Sequence, residues 1–135
     1  MLTDEIYQMY LDKGLKNAKI IADSAEKRLI TEIKRKGISN LKPSIKGQGS
    51  IMQGVQFIQG FKIYVHPTCE HTIEELNTYT FEQDKDGNWL NKPIDANNHL
   101  MDALRYSLEE FHFPRNNRTN VNIKKNISRA KAMGL

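Results

Sequence analysis

The chain has 135 residues, 39% of them hydrophobic and 27% charged, with a formal net charge of +4. That is enough for one domain with one core, and the balance is globular rather than disordered. No apolar run approaches a membrane span, the N-terminus has no apolar signal-peptide core, and a single cysteine leaves no internal disulfide, so the sequence reads as soluble and intracellular.

Residues 2–13 predict a short helix, with Thr3 as its cap and Ile6, Met9 and Tyr10 facing inward; Gly14 ends it. Lys19-Ile20-Ile21-Ala22-Asp23 then reads as a buried strand closing on an acid. Ser24 is the expected cap of a second helix, with Ala25, Leu29, Ile30 and Ile33 on one face and Gly37 as its stop. The strand–acid–helix order matters, because open α/β sheets gather functional groups at the carboxyl ends of their strands. Residues 38–45 predict a second short strand, interrupted by Pro43.

Lys46-Gly47-Gln48-Gly49-Ser50 is a loop with a capping serine, followed by a helix whose inward positions are Ile51, Val55 and Ile58. A helix N-terminus beside Lys46 suits a phosphate. The loop lacks the Gly-Lys-Ser/Thr ending of a nucleotide P-loop, which argues against ATP. Phe61 to His66 alternates as a third strand, Pro67 breaks it, and a helix follows from about Cys69 to Thr78 with Ile73 and Leu76 inward. Tyr79 to Gln83 and Trp89-Leu90 flank Asp86-Gly87, a hairpin signal.

Residues 97–108 predict the most informative helix. Leu100, Leu104, Leu108 and Phe111, with Met101 alongside, form an apolar stripe. His99, Asp102 and Tyr106 stack along the other face, and Asp95, Asn97 or Asn98 is available as a cap. The helix dipole favours an ionised Asp102. An imidazole and a carboxylate one turn apart make half of a metal site, or simply a first-turn acid beside a half-exposed histidine. Beyond Phe113-Pro114 the apolar pattern dissolves. Residues 1–114 thus read as the domain and 115–135 as a basic tail, with Arg115, Arg118, Lys124, Lys125, Arg129 and Lys131 and no acids. Such a run contacts phosphates or is merely solvated, and charge alone does not choose. Alternating short strands and helices give an α/β domain, and there are no internal repeats.

His66, Cys69 and His71 offer soft ligands, but no second pair lies at zinc-site spacing; a buried cysteine and two ordinary histidines is the better reading. The acids carry more. Asp23 and Asp102 suit a hard divalent cation if the fold brings them together.

Taken together, Ile21-Ala22-Asp23-Ser24-Ala25-Glu26, Lys46-Gly47…Ser50-Ile51, Val65-His66-Pro67…Cys69, Glu75-Leu76…Tyr79 and above all Asn98-His99-Leu100-Met101-Asp102-Ala103-Leu104-Arg105-Tyr106 resemble the C-terminal nuclease domain of the large terminase subunit of tailed bacteriophages. The resemblance spans roughly residues 15–110, with the motifs in order. It implies an incomplete RNase H-like α/β fold, with a short, mostly parallel sheet flanked by helices. It further implies an endonuclease that uses two Mg²⁺ or Mn²⁺ ions to cut double-stranded DNA during genome packaging in the bacterial host cytoplasm. Asp23 then resembles the family's second metal-binding aspartate, Asp102 its last, and His99 the polar residue beside the metals. Lys46, Arg115, Arg118, Lys124 and Lys125 are expected backbone contacts on charge alone. The implied partners are the remainder of the large subunit, the small terminase subunit and the portal protein. The family's first catalytic aspartate, on an earlier strand, has no counterpart here, nor has the packaging ATPase domain. The expectation is therefore a C-terminal fragment, inactive or weak alone, that dimerises or takes a complementing chain. The competing expectation is a non-catalytic remnant that binds DNA or packaging partners; a third is a small α/β protein unrelated to DNA.

Overall fold

The computed structural model describes residues 2–113. The expected basic tail, with Arg115, Arg118, Lys124 and Lys125, lies outside the described residues. In chain order the elements are α1 (Thr3–Asp12), β1 (Ile20–Ala22), α2 (Lys27–Lys36), β2 (Leu41–Pro43), α3 (Ser50–Gln59), α4 (Glu70–Thr78), β3 (Phe81–Gln83), β4 (Trp89–Pro93), α5 (His99–Ser107) and α6 (Glu109–His112).

Two small sheets result. β1 and β2 pair in parallel, with Ile20 opposite Leu41 and Ala22 opposite Pro43. Pro43 ends β2, as its missing N–H requires, and Ser44 N–H then donates to the Ala22 carbonyl at 2.7 Å. β3 and β4 form an antiparallel hairpin, so among the described residues half of the strand pairing is not parallel. Asp84 organises its turn: Oδ1 accepts the N–H groups of Asp86 and Asn88, both at 2.9 Å. Gly87 adopts a φ of 80° there, which favours glycine. Trp89 opens β4 with its side chain mostly in solvent.

The aliphatic core lies between α1, α2 and the β1–β2 pair. Ile30, Ile33, Ile38 and Leu41 are buried, and Ile6, Tyr7, Tyr10, Leu11, Ile20, Ala22 and Leu29 pack around them. Ile30 and Ile33 share one face of α2 by their three-residue spacing. Gly37 stops that helix at φ 126°. β1 is half-buried rather than buried, and among the described residues β2 is the one strand that pairs with it.

Several local expectations give way to tertiary partners. Phe61 to His66 forms no strand: the pleat's alternation is present, but no described strand lies alongside to complete a ladder. Thr3 does not cap α1. Leu2 holds that position, its N–H bonded to Glu5 Oε2 at 2.8 Å, while Thr3 Oγ1 donates across to Glu32 on α2. Ser24 does not cap α2 either, since Asp23 makes the local turn by accepting from Ala25 N–H. Ser50 is the first residue of α3, and Gly49 at φ 74° is its N-cap. Ile51 is exposed, while Ser50 and Gly54 are the buried positions of α3.

Candidate active site

Asp23 leaves the end of β1 into solvent, with half of its side chain accessible. Its Oδ1 accepts the Ala25 N–H at 2.9 Å and lies 3.4 Å from Lys46 Nζ. The Ala25 N–H does most to hold the carboxyl below its ordinary range; partial burial opposes this, and the Lys46 hydrogen bond and charge, with the Arg105 charge further off, add to the lowering.

Asp102 sits in the first turn of α5, which packs against β1. Its Oδ1 accepts from Arg105 Nη2 at 2.9 Å. Arg105 is 7% exposed, so the partner that holds Asp102 is itself buried. Beside Asp102 opens a cleft of about 460 Å³, lined among others by Lys46, the start of α3, Tyr79, Lys92, Asp95, Asn98, Asp102 and Arg105; Asp23 does not line it and reaches it only through its ion pair with Lys46. Burial raises the Tyr79 hydroxyl pKa, and the Asp102 charge raises it further.

The face that α5 buries is not the expected apolar stripe. Leu100 and Phe111 are exposed, at 38% and 58%, and the buried line is Met101, Arg105 and Glu109. Neither Asp95, Asn97 nor Asn98 caps the helix with its side chain. The acceptor comes from α4: buried Glu75 Oε2 takes the N–H groups of Leu100 at 2.7 Å and Met101 at 3.1 Å. Glu109, the first residue of α6, accepts the Ile45 N–H at 2.8 Å and so fixes the chain just before Lys46. Sequence reasoning missed Glu75, Arg105 and Glu109. Their available signals were the four-residue spacing from Met101 to Glu109 and an isolated glycine, Gly54, inside an apolar helix.

His99 is the exposed first residue of α5 and does not line the cleft. His66 Nδ1 is engaged locally, 2.8 Å from Thr68 Oγ1, and Cys69 is exposed rather than buried. Among the described residues, no three His, Cys, Asp or Glu side chains come together as a metal site. Two carboxylates supported by N–H donors match a hard cation in chemistry, yet they are too few to hold a pair of ions.

Residues 1–110 match the family described as terminase RNase H-like domain. The PBSX phage terminase large subunit of Bacillus subtilis (strain 168) is 29% identical over 112 residues, 82% of this chain and 26% of that protein. The terminase large subunit of Bacillus phage SPP1 is 32% identical over 96 residues, 69% of this chain and 23% of its own length. In structure, the chain is similar to the crystal structure of the large terminase (g2p) nuclease domain from bacteriophage SPP1 with bound Mn. That match has a TM-score of 0.74 at 25% identity, covering 82% of this chain and 64% of the other. The chain thus spans about a quarter of the length of the curated relatives it matches. With its α/β architecture and these relatives in agreement, the chain belongs to the terminase RNase H-like domain family.

Proposed function

We propose that this chain is the nuclease-domain part of a phage or prophage packaging terminase, and that it contributes to metal-dependent cleavage of double-stranded DNA. The observation that carries this reading is the packing of α5 against β1, which sets the helix that carries Asp102 against the strand that ends at Asp23. Asp23 and Asp102 would hold Mg²⁺ or Mn²⁺ through carboxylate oxygens, as hard cations prefer. When bound, such ions supply Lewis-acid activation of water and stabilise the leaving oxygen.

The remaining work falls to the chain. Lys46, at the cleft mouth and largely exposed, neutralises a backbone phosphate once it leaves Asp23. His99, exposed one turn before Asp102, moves a proton or orients water when DNA covers it. Arg115, Arg118, Lys124 and Lys125 add salt-sensitive phosphate contacts. The remaining donors are expected from a complementing chain, a second copy or the rest of the large subunit, with the small subunit and portal protein as further partners.

A second reading has its own observation. Asp23 and Asp102 each already carry an internal cation, and no third ligand joins them among the described residues. On that reading the chain is a DNA- or partner-binding module without catalysis. Nicking of supercoiled plasmid with Mn²⁺ separates the two, run beside a chelator and Asp102→Asn. Cleavage lost in both controls supports the nuclease. Intact plasmid, with salt-sensitive DNA binding that survives loss of both acids, supports the module.

A further inference from the structure

We propose that Arg105 is the positioning residue of Asp102, and that Gly54 is glycine because it forms the slot in which the Arg105 stem lies. The inference rests on the reading that Asp102 holds a divalent cation.

The packing leaves little freedom. α3 crosses α5 at Gly54, where an added Cβ would stand 2.5 Å from Arg105 Cγ and 2.6 Å from Cδ. No real Cβ tolerates such a contact, so any larger residue must displace the stem. Beyond the slot, the guanidinium carbon lies 4.8 Å over the Tyr106 ring, and Nη2 reaches Asp102. Nε is buried and has no hydrogen-bond partner among the described residues.

That pattern differs from an ordinary helix-surface ion pair. Such pairs join two exposed, mobile side chains and fix neither. Here Arg105 is buried and Asp102 keeps 29% of its side chain accessible, so the immobile partner dictates the rotamer of the accessible one. The bond engages Oδ1, and Oδ2 takes no hydrogen bond among the described residues. A carboxylate held by one oxygen with the other free is oriented before its cation arrives. Partners that orient a ligand in this way typically change metal affinity about 10–100-fold when removed. The opposite expectation is also physical: a cation beside Asp102 competes with a metal, and its loss tightens binding.

The test titrates Mn²⁺ into the ¹⁵N-labelled full chain and follows paramagnetic broadening of the Asp102–Ala103 amides and, separately, the Asp23–Ala25 amides. The variants are Arg105→Met, Arg105→Lys and Gly54→Ala, each checked for folding by its thermal melt. The expected result is broadening at both acids in the native chain. At Asp102, half-broadening in Arg105→Met should need about 10–100-fold more Mn²⁺. Arg105→Lys, which keeps the charge but not the planar fork, should fall between. Gly54→Ala should show a loss at Asp102 with no change in charge count, and it keeps the test open if Arg105→Met does not fold. Unchanged or tighter Mn²⁺ response at Asp102 in folded variants overturns the positioning role. No broadening at Asp102 in the native chain overturns the metal reading and the role with it. A Gly54→Ala chain with native melt and native titration overturns the slot.

Discussion

Around α1, α2, β1 and β2 the interior is Ile30, Ile33, Ile38 and Leu41, a dry aliphatic cluster with tyrosines at its rim. Around α3 to α6 the buried positions include Glu75, Asn98, Arg105 and Glu109, while Phe61, Tyr64, Leu100 and Phe111 face solvent. The first region is cohesive by burial, which is non-directional and tolerant of small shifts. The second depends on hydrogen bonds with fixed geometry, and each buried polar group there is costly if its partner moves. Asp23 belongs to the first region and Asp102 to the second. The candidate site therefore sits on the seam, one acid on an apolar base that tolerates small shifts and the other on a polar base of fixed geometry.

That contrast can be broken experimentally. Ile33→Ala should cost about 2–5 kcal/mol, because it opens a cavity among fully buried neighbours; urea unfolding measures it, and a loss under 1 kcal/mol would contradict an aliphatic keystone. Glu75→Ala should cost less, about 1–3 kcal/mol, since it strands two N–H groups rather than a methyl cluster. Its signature is local: amide exchange at Leu100 and Met101 should accelerate more than at Ile30 or Ile33. Uniform acceleration across both regions would mean that they unfold as one unit, and the distinction would fail.

The smallest effect concerns pH. The Arg28 hydrogen bond, then that of Thr3, lowers the Glu32 pKa from its ordinary 4.5. A depressed carboxylate contributes stability that is fully present above its unfolded pKa and is lost as pH falls through the folded one. Glu32→Gln should therefore lower Tm slightly near neutrality, where the ionised carboxylate contributes in full. Below pH 4.5 the variant should show a shallower fall in Tm than the native chain. Equal slopes would show that the Arg28–Glu32 pair on α2, with the Thr3 hydroxyl bond from α1, contributes nothing.

The aliphatic region and the β3–β4 hairpin were legible from sequence because their rules are local. The spacing of Ile30 and Ile33, the stop at Gly37, the break at Pro43 and the turn at Asp86-Gly87 all act within a few residues. The motifs around Asp23 and Asp102 pointed to the family that the comparisons then showed. The polar region was not legible, for an equally physical reason. An arginine is buried only where a partner and a gap await it; the gap at Gly54 is 51 positions away, and the α5 cap is supplied by Glu75 from another helix. Thr3, Ser24 and Ser50 are sound caps by type, yet each yields to a neighbour that periodicity does not reveal. Phe61 to His66 has a strand's alternation and lacks a described strand to pair with.

Trp89 is the only tryptophan of the chain and is 63% exposed at the start of β4, away from the aliphatic cluster. Its emission therefore reports on the hairpin's surroundings and is nearly blind to melting of the Ile33 region. Fluorescence and far-ultraviolet dichroism should give different unfolding midpoints. The same exposure makes the indole a built-in reporter: a blue shift on mixing with DNA or a second protein would locate contact at the hairpin without any added label.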